Sequence, residues 1–147
     1  MSNEHPLSKS EFDAIYSRVP RLTVEIVLHG AAGVYLTKRA IEPCKGLWHL
    51  PGGTVRFGEP VKEAVRRIAS RELCIDVTAT KLLGYIEYPS HYLHGLDSPV
   101  GLAFEVVDYA GEISPNTEAR DASWFVELPR DMHDEQRLFL IENFDTQ

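Results

Sequence analysis

Residues 52–75 read GGTVRFGEPVKEAVRRIASRELCI, and the rest of the chain is arranged around them. The stretch opens in a Pro-Gly-Gly turn and passes a further glycine at Gly58 before reaching Pro60. The fixed φ of Pro60 suits the first turn of a helix, where its missing N–H costs nothing. About three and a half turns of helix follow. Val61, Ala64, Val65 and Ile68 recur at helical spacing and make one apolar face. The next position on that stripe is Glu72. A carboxylate at the end of a core-facing stripe is costly unless a charge meets it, and a metal cation meets it well.

The opposite face carries Glu59, Glu63, Arg66, Arg67 and Ser70. Glu63 and Arg67 stand in the favourable i, i+4 order and are expected to pair. Taken alone, this face reads as a solvated, salt-bridged surface.

The stretch resembles a Nudix box, G-x5-E-x7-R-E-U-x-E-E-x-G-U, with U a bulky apolar residue. Gly53, Glu59, Arg67, Glu72 and Ile75 fall on its first glycine, first Glu, Arg, last Glu and final apolar position. Ile68 and Arg71 stand where two further glutamates belong, and Cys74 stands where the second glycine belongs. Two of the family's usual three metal ligands on the helix are therefore absent. The GDP-mannose mannosyl hydrolase branch has a similarly reduced box. WHLPGG before the box (residues 48–53) and R-x4-E-L within it (residues 67–73) are similar to that branch too.

The chain has 147 residues, 44% of them apolar and 25% charged, as in a globular protein of one domain. Its net charge of −7 argues against nucleic-acid or anionic-membrane partners. Cys44 and Cys74 form no C-x-x-C pair, so spacing supports neither a disulfide framework nor a zinc site. The N-terminal MSNEHPLSKSE lacks the apolar stretch of a signal peptide, and cytoplasmic localisation is expected.

Ser8 or Ser10 can cap a first helix with Phe12, Ile15, Tyr16 and Val19 on one face. Residues 22–28 read as a strand and 33–39 as its hairpin partner. A short strand around Trp48 precedes the box helix, and strands over 81–88 and 100–108 follow it. Between those two lies YPSHYLHGLDSP, which reads as a mobile loop near a site. His91 and His94 within it are three apart, but a Pro- and Gly-studded loop is a poor frame for metal binding. A last strand over 122–126 and a helix over 133–144, with Leu138, Ile141 and Phe144 inward, complete an α+β pattern. Its order and length agree with the Nudix fold, a mixed sheet between helices in an α/β/α sandwich.

The resemblance implies a Mg²⁺-dependent hydrolase, with Mn²⁺ as a substitute, acting on a nucleoside diphosphate linked to X. GDP-mannose is the leading example of such a nucleotide substrate. A nucleoside triphosphate pyrophosphohydrolase and a catalytically weak nucleotide-binding module are the alternatives. Implied metal ligands are Glu72, the backbone carbonyl of Gly52 and Glu118, which also activates water. Arg39 and Arg67 match arginines that face the diphosphate, Glu59 orients Arg67, and Glu25 matches an acidic position that grips the nucleotide. The branch's general-base His is replaced by Ala119 and its Arg after the Gly-Gly turn by Thr54, which points to attack at phosphorus rather than at the sugar carbon. A homodimer is implied by the same branch.

Overall fold

The computed structural model describes residues 5–42, 44–114 and 121–144. In chain order the elements are α1 (Lys9–Tyr16), β1 (Arg21–Val27), β2 (His29–Gly30), β3 (Gly33–Lys38), β4 (Trp48–His49) and β5 (Gly52–Thr54). Then come α2 (Val61–Leu73), β6 (Asp76–Glu87), α3 (Pro89–Tyr92), β7 (Pro99–Ala110), β8 (Asp121–Phe125) and α4 (Asp134–Asn143).

β1 is the hub. Thr23 to Val27 are all buried, which suits a strand covered on both faces. It runs antiparallel to β5 on one edge and parallel to β7 on the other, giving a mixed sheet in the order β5-β1-β7-β6. With both edges taken, β1 has no place for β3. The expected hairpin of 22–28 with 33–39 therefore does not form. The chain changes sheet at Leu28, and β3 pairs instead with β2, β4 and β8. One backbone bond, from Tyr35 N–H to Leu28 O at 3.1 Å, spans the change.

α2 packs on one face of the β1 sheet. Ala64, Val65, Ile68, Ala69 and Leu73 are buried there with Val24 and Ile26 of β1. Each large side chain in that layer is worth about 2–5 kcal/mol against truncation to alanine. Pro60 is extended (ψ 143°) and caps the helix from outside, one residue earlier than expected of a first helical residue. Cys74 ends it with φ 60° in the left-handed region, its N–H bonded to Ser70 O.

α4 covers the other cluster, which contains Val27, Val34, Leu36, Leu50, Ile86 and Tyr88. Its inward residues are Gln136, Phe139 and Leu140; Leu138 and Ile141 are exposed, contrary to the sequence expectation. Two stripes compete on this helix. The adjacent Phe139 and Leu140 bury more apolar surface than Leu138 and Ile141 would, and Gln136 finds partners inside. Phe144 is half-buried and stacks on His29 at 4.1 Å.

α1 is closed by Ser8, whose Oγ accepts the Glu11 N–H at 3.1 Å while the Glu11 carboxylate accepts the Ser8 N–H at 2.9 Å. None of its residues is buried, and Ile15 is exposed, as is Val19 beyond the helix. This helix lies over a cavity rather than over the core. No helix among the described residues is long and apolar enough to cross a membrane.

Candidate functional site

A cavity of about 530 Å³ opens between α1, the β1–β5 edge, α3 and the start of α4. Its depth comes from two glycines. A Cβ on Gly52 would lie 2.9 Å from Glu25 Oε2, and one on Gly101 would lie 3.1 Å from the Glu25 carboxyl carbon. Gly52 is the register partner of Glu25, and Gly101 that of Thr23. Both neighbouring strands thus vacate the space around one carboxyl. Glu25 is only 7% exposed and lines the cavity, rather than sitting on the solvated side of a strand. Thr23 Oγ1 donates to its Oε1 at 3.3 Å, while Oε2 has no hydrogen-bond partner among the described residues. Burial pushes the Glu25 carboxyl up to about 8.

Glu72 reaches the same turn from α2. Burial raises its carboxyl above the ordinary range, opposed by Arg71 and by the nearby Gly52 backbone. The charge that meets it is Arg71, whose Nη2 donates to Glu72 Oε2 at 3.3 Å. The helix position that carries an acid in the Nudix pattern therefore holds the counter-ion of its neighbour. A mostly buried carboxylate against a peptide turn, with a second buried carboxyl nearby, is a hard-oxygen set that fits Mg²⁺. Glu118 lies outside the described residues, as does Ala119.

A second, smaller hollow shares Phe12 and Gly53 with the cavity and is lined by Arg56, Arg67 and Arg71. Arg67 is gripped from behind. Its Nε donates to Glu59 Oε2 at 2.8 Å, and its Nη2 donates to Glu59 Oε1 at 3.0 Å and to Thr54 O at 2.9 Å. Glu59 also accepts the Arg56 N–H at 3.0 Å, and the Arg67 bond holds its carboxyl below the usual range. The expected Glu63–Arg67 pair does not form; Glu63 meets Arg66 at 3.8 Å instead. The fork of Arg67 finds a better-aligned and less exposed carboxylate in Glu59.

Arg39 lines the main cavity. Arg21, which no sequence feature singled out, lines it too. Its Nε donates to Asp97 Oδ2 at 2.6 Å and its Nη1 to Thr54 Oγ1 at 2.7 Å. A guanidinium thus stands against Thr54, delivered from β1.

Three more cavity residues escaped sequence reading. Gln136 on α4 accepts the Leu50 N–H at 2.7 Å and donates to the Tyr88 hydroxyl at 3.0 Å, and that hydroxyl lies within electrostatic reach of Glu25. His133, the cap of α4, faces His91, with the two Nε2 atoms 3.0 Å apart. The segment expected to be a mobile loop is tied down here. Tyr88 is buried, Ser90 holds Glu135 through two hydrogen bonds of 2.8 and 2.7 Å, and His94 turns outward to Ser90 O. Partners forty or more residues away leave no periodic trace in sequence.

Comparison with known proteins agrees with the fold. The model of the NUDIX domain matches residues 19–139. The chain is 40% identical over 100 residues to the low-salt glycan biosynthesis protein Agl8 of Haloferax volcanii, covering 65% of this chain and 64% of that protein. It is 30% identical over 106 residues to the ADP-ribose pyrophosphatase of Methanocaldococcus jannaschii, covering 72% of this chain and 62% of that protein. The chain thus aligns with under two thirds of the length of either relative. The crystal structure of a MutT NUDIX hydrolase from Burkholderia pseudomallei superposes with a TM-score of 0.78 at 27% identity, over 86% of this chain and 98% of that one. A MutT protein from Methanosarcina mazei, at 19% identity and a TM-score of 0.72 over 84% of this chain and 91% of that one, shares the fold. With the box on α2, the mixed sheet beneath it and a family match over most of its length, the chain belongs to the Nudix family.

Proposed function

We propose that the chain is a Mg²⁺-dependent hydrolase of a nucleoside diphosphate linked to X, with nucleotide sugars such as GDP-mannose as the substrate class. The observation that carries this reading is the meeting of two hollows at Gly53: three arginines line one and a deep carboxyl floors the other. The arginine side suits phosphate charge. The Glu25 side suits a hydroxyl- or amide-bearing group, because a protonated carboxyl both donates and accepts. A glycan-biosynthesis protein and an ADP-ribose pyrophosphatase among the relatives support a diphosphate bearing a sugar.

In this reading Glu72 and the Gly52 backbone hold Mg²⁺, and Glu118 is the third ligand and water-activating group. Bound Mg²⁺ neutralises phosphate charge and makes a coordinated water more acidic. Arg39 and Arg67 bind the diphosphate, and Glu59 fixes the direction of Arg67. Arg21 at Thr54 supplies from β1 a guanidinium beside the Gly-Gly turn. Glu25 holds the substrate's polar end, steadied by Tyr88 and Gln136. The new bond joins water oxygen to phosphorus, and the bridging P–O bond breaks to give a nucleoside monophosphate and a sugar phosphate.

Turnover with Mg²⁺ against nucleotide sugars, ADP-ribose and nucleoside triphosphates tests the substrate class. The nucleotide sugars are expected to give the highest kcat/KM. A preference for triphosphates with release of pyrophosphate would replace the reading, and tight binding without turnover would leave a nucleotide-binding module. Hydrolysis in ¹⁸O-water tests the bond that breaks. Label is expected in a phosphate product; label in free sugar beside unlabelled nucleoside diphosphate would mean attack at carbon.

A further inference from the structure

We propose that Cys44, His91 and His133 form a zinc site on the wall of the cavity, built from residues other than the hard-oxygen set at Glu72. Among the described residues these three bring their ligand atoms within 4.8 Å of one another. All three line the cavity, and they come from separate parts of the chain: the loop after β3, α3, and the cap of α4. The histidines are 42 residues apart in sequence, so no spacing motif announces the cluster.

The hydrogen-bond arithmetic of the two imidazoles calls for a cation between them. Their Nε2 atoms face each other at 3.0 Å. Each Nδ1 faces a carboxylate, Asp97 Oδ1 at 3.4 Å for His91 and Glu135 Oε1 at 3.6 Å for His133. His133 is only 6% exposed, and its buried Nδ1 has no hydrogen-bond partner among the described residues. A neutral imidazole carries one proton. To give each carboxylate an N–H and still bond Nε2 to Nε2, the two rings need three protons, one more than a neutral pair holds. A metal ion between the Nε2 atoms removes the conflict. Each ring then places its proton on Nδ1 towards a carboxylate, the arrangement that orients metal-bound histidines generally. The carboxylates are themselves anchored, Asp97 by Arg21 and Glu135 by Ser90.

Cysteine with two histidines is a borderline-soft donor set, which selects Zn²⁺ over Mg²⁺. Adjacent ligands on tetrahedral zinc lie about 3.3 Å apart for two nitrogens and about 3.6 Å for nitrogen and sulfur. The observed Nε2 separation is within a few tenths of an ångström of the first value. The thiol has at most about 1.2 Å to close (4.8 less about 3.6), within reach of a side-chain rotation. Cys44 also has φ 64°, a left-handed conformation that only one other non-glycine described residue, Cys74, adopts. Such strain persists where the surroundings impose it. Three protein ligands leave zinc a fourth position, and all three residues line the cavity.

The test uses the full chain purified without chelator and exposed to equimolar Zn²⁺, then desalted and assayed by inductively coupled plasma mass spectrometry. About one zinc per chain is expected. In the Co²⁺ form a thiolate-to-cobalt charge-transfer band should appear, and Cys44→Ser should remove it. His133→Gln and His91→Gln should each lower zinc affinity at least tenfold, while His94→Gln and Glu72→Gln retain it. Less than a tenth of an equivalent of zinc in the unaltered chain would overturn the site and leave a shared proton between the rings. So would a cobalt spectrum without the thiolate band, which needs no variant to fold, or unchanged zinc affinity in Cys44→Ser.

Discussion

Arg67, in the wall of the arginine-lined hollow, faces Glu59 with two parallel hydrogen bonds, 2.8 and 3.0 Å long. Both side chains are largely shielded from water, so the pair is stiff rather than decorative. Arg67→Ala leaves the largely shielded Glu59 carboxylate without its counter-charge. A stability loss of about 1–3 kcal/mol is expected, with a fall in kcat/KM of roughly a hundredfold or more. Arg39→Ala should show the same kinetic loss. Thermal denaturation beside steady-state kinetics checks both, and parent-like kinetics would return the two arginines to a structural role.

Glu72→Gln keeps the size of the side chain, so the fold should hold. Mg²⁺-dependent turnover should be lost. Calorimetric titration with Mn²⁺ reads the site directly, and metal bound as tightly as by the parent protein would show that Glu72 is not a ligand.

Cys74 pays a conformational cost that glycine would not. A left-handed conformation costs a non-glycine residue about 1–2 kcal/mol, partly offset by glycine's freer unfolded chain. Cys74→Gly is expected to stabilise the protein by about 1 kcal/mol, raising Tm by roughly 2–4 °C. A lower Tm would mean that the thiol makes contacts worth more than the strain.

Glu25 gives the metal-free protein a pH signature. Its carboxyl is raised from the ordinary 4.5 to about 8 by burial, so folding favours the protonated form. The stability it contributes is full below about pH 4.5, declines as pH rises, and is gone above about pH 8. Glu25→Gln should abolish that decline. Denaturant midpoints in EDTA across this range should show the two proteins diverging by up to about 1.4 kcal/mol per pH unit. Parallel curves would place the carboxyl in water.

Much of the fold was legible because it depends on local pattern. The α2 stripe, the Ser8 cap and the strand at β1 follow from periodicity and capping chemistry that neighbouring residues carry themselves. The sheet change at Leu28 was not legible, since it depends on both edges of β1 being occupied by β5 and β7, which lie far along the chain. The inward face of α4 was missed because two apolar stripes overlap there, and only the positions of Leu50 and Tyr88 select the one with Gln136. At the site, the resemblance named Glu25, Arg39, Glu59, Arg67 and Glu72, and the structure sets Glu25, Arg39 and Gly52 around one cavity. Arg21, Asp97, Tyr88 and His133 gave no signal, because each acquires its meaning only from a partner that folding brings to it.

The first helix differs in kind from the other long ones. α2 buries five side chains and α1 buries none, yet Phe12, Asp13 and Tyr16 of α1 form one wall of the cavity. Its tertiary anchors include the Arg21 guanidinium over the Phe12 ring at 5.6 Å. The free energy needed to detach such a segment is a small part of the global stability. The wall of the cavity and the core beneath it therefore answer to separate equilibria. Amide hydrogens of α1 should exchange with solvent long before those of α2, and the cavity can widen towards its N-terminal side while the sheet and its helix stay folded.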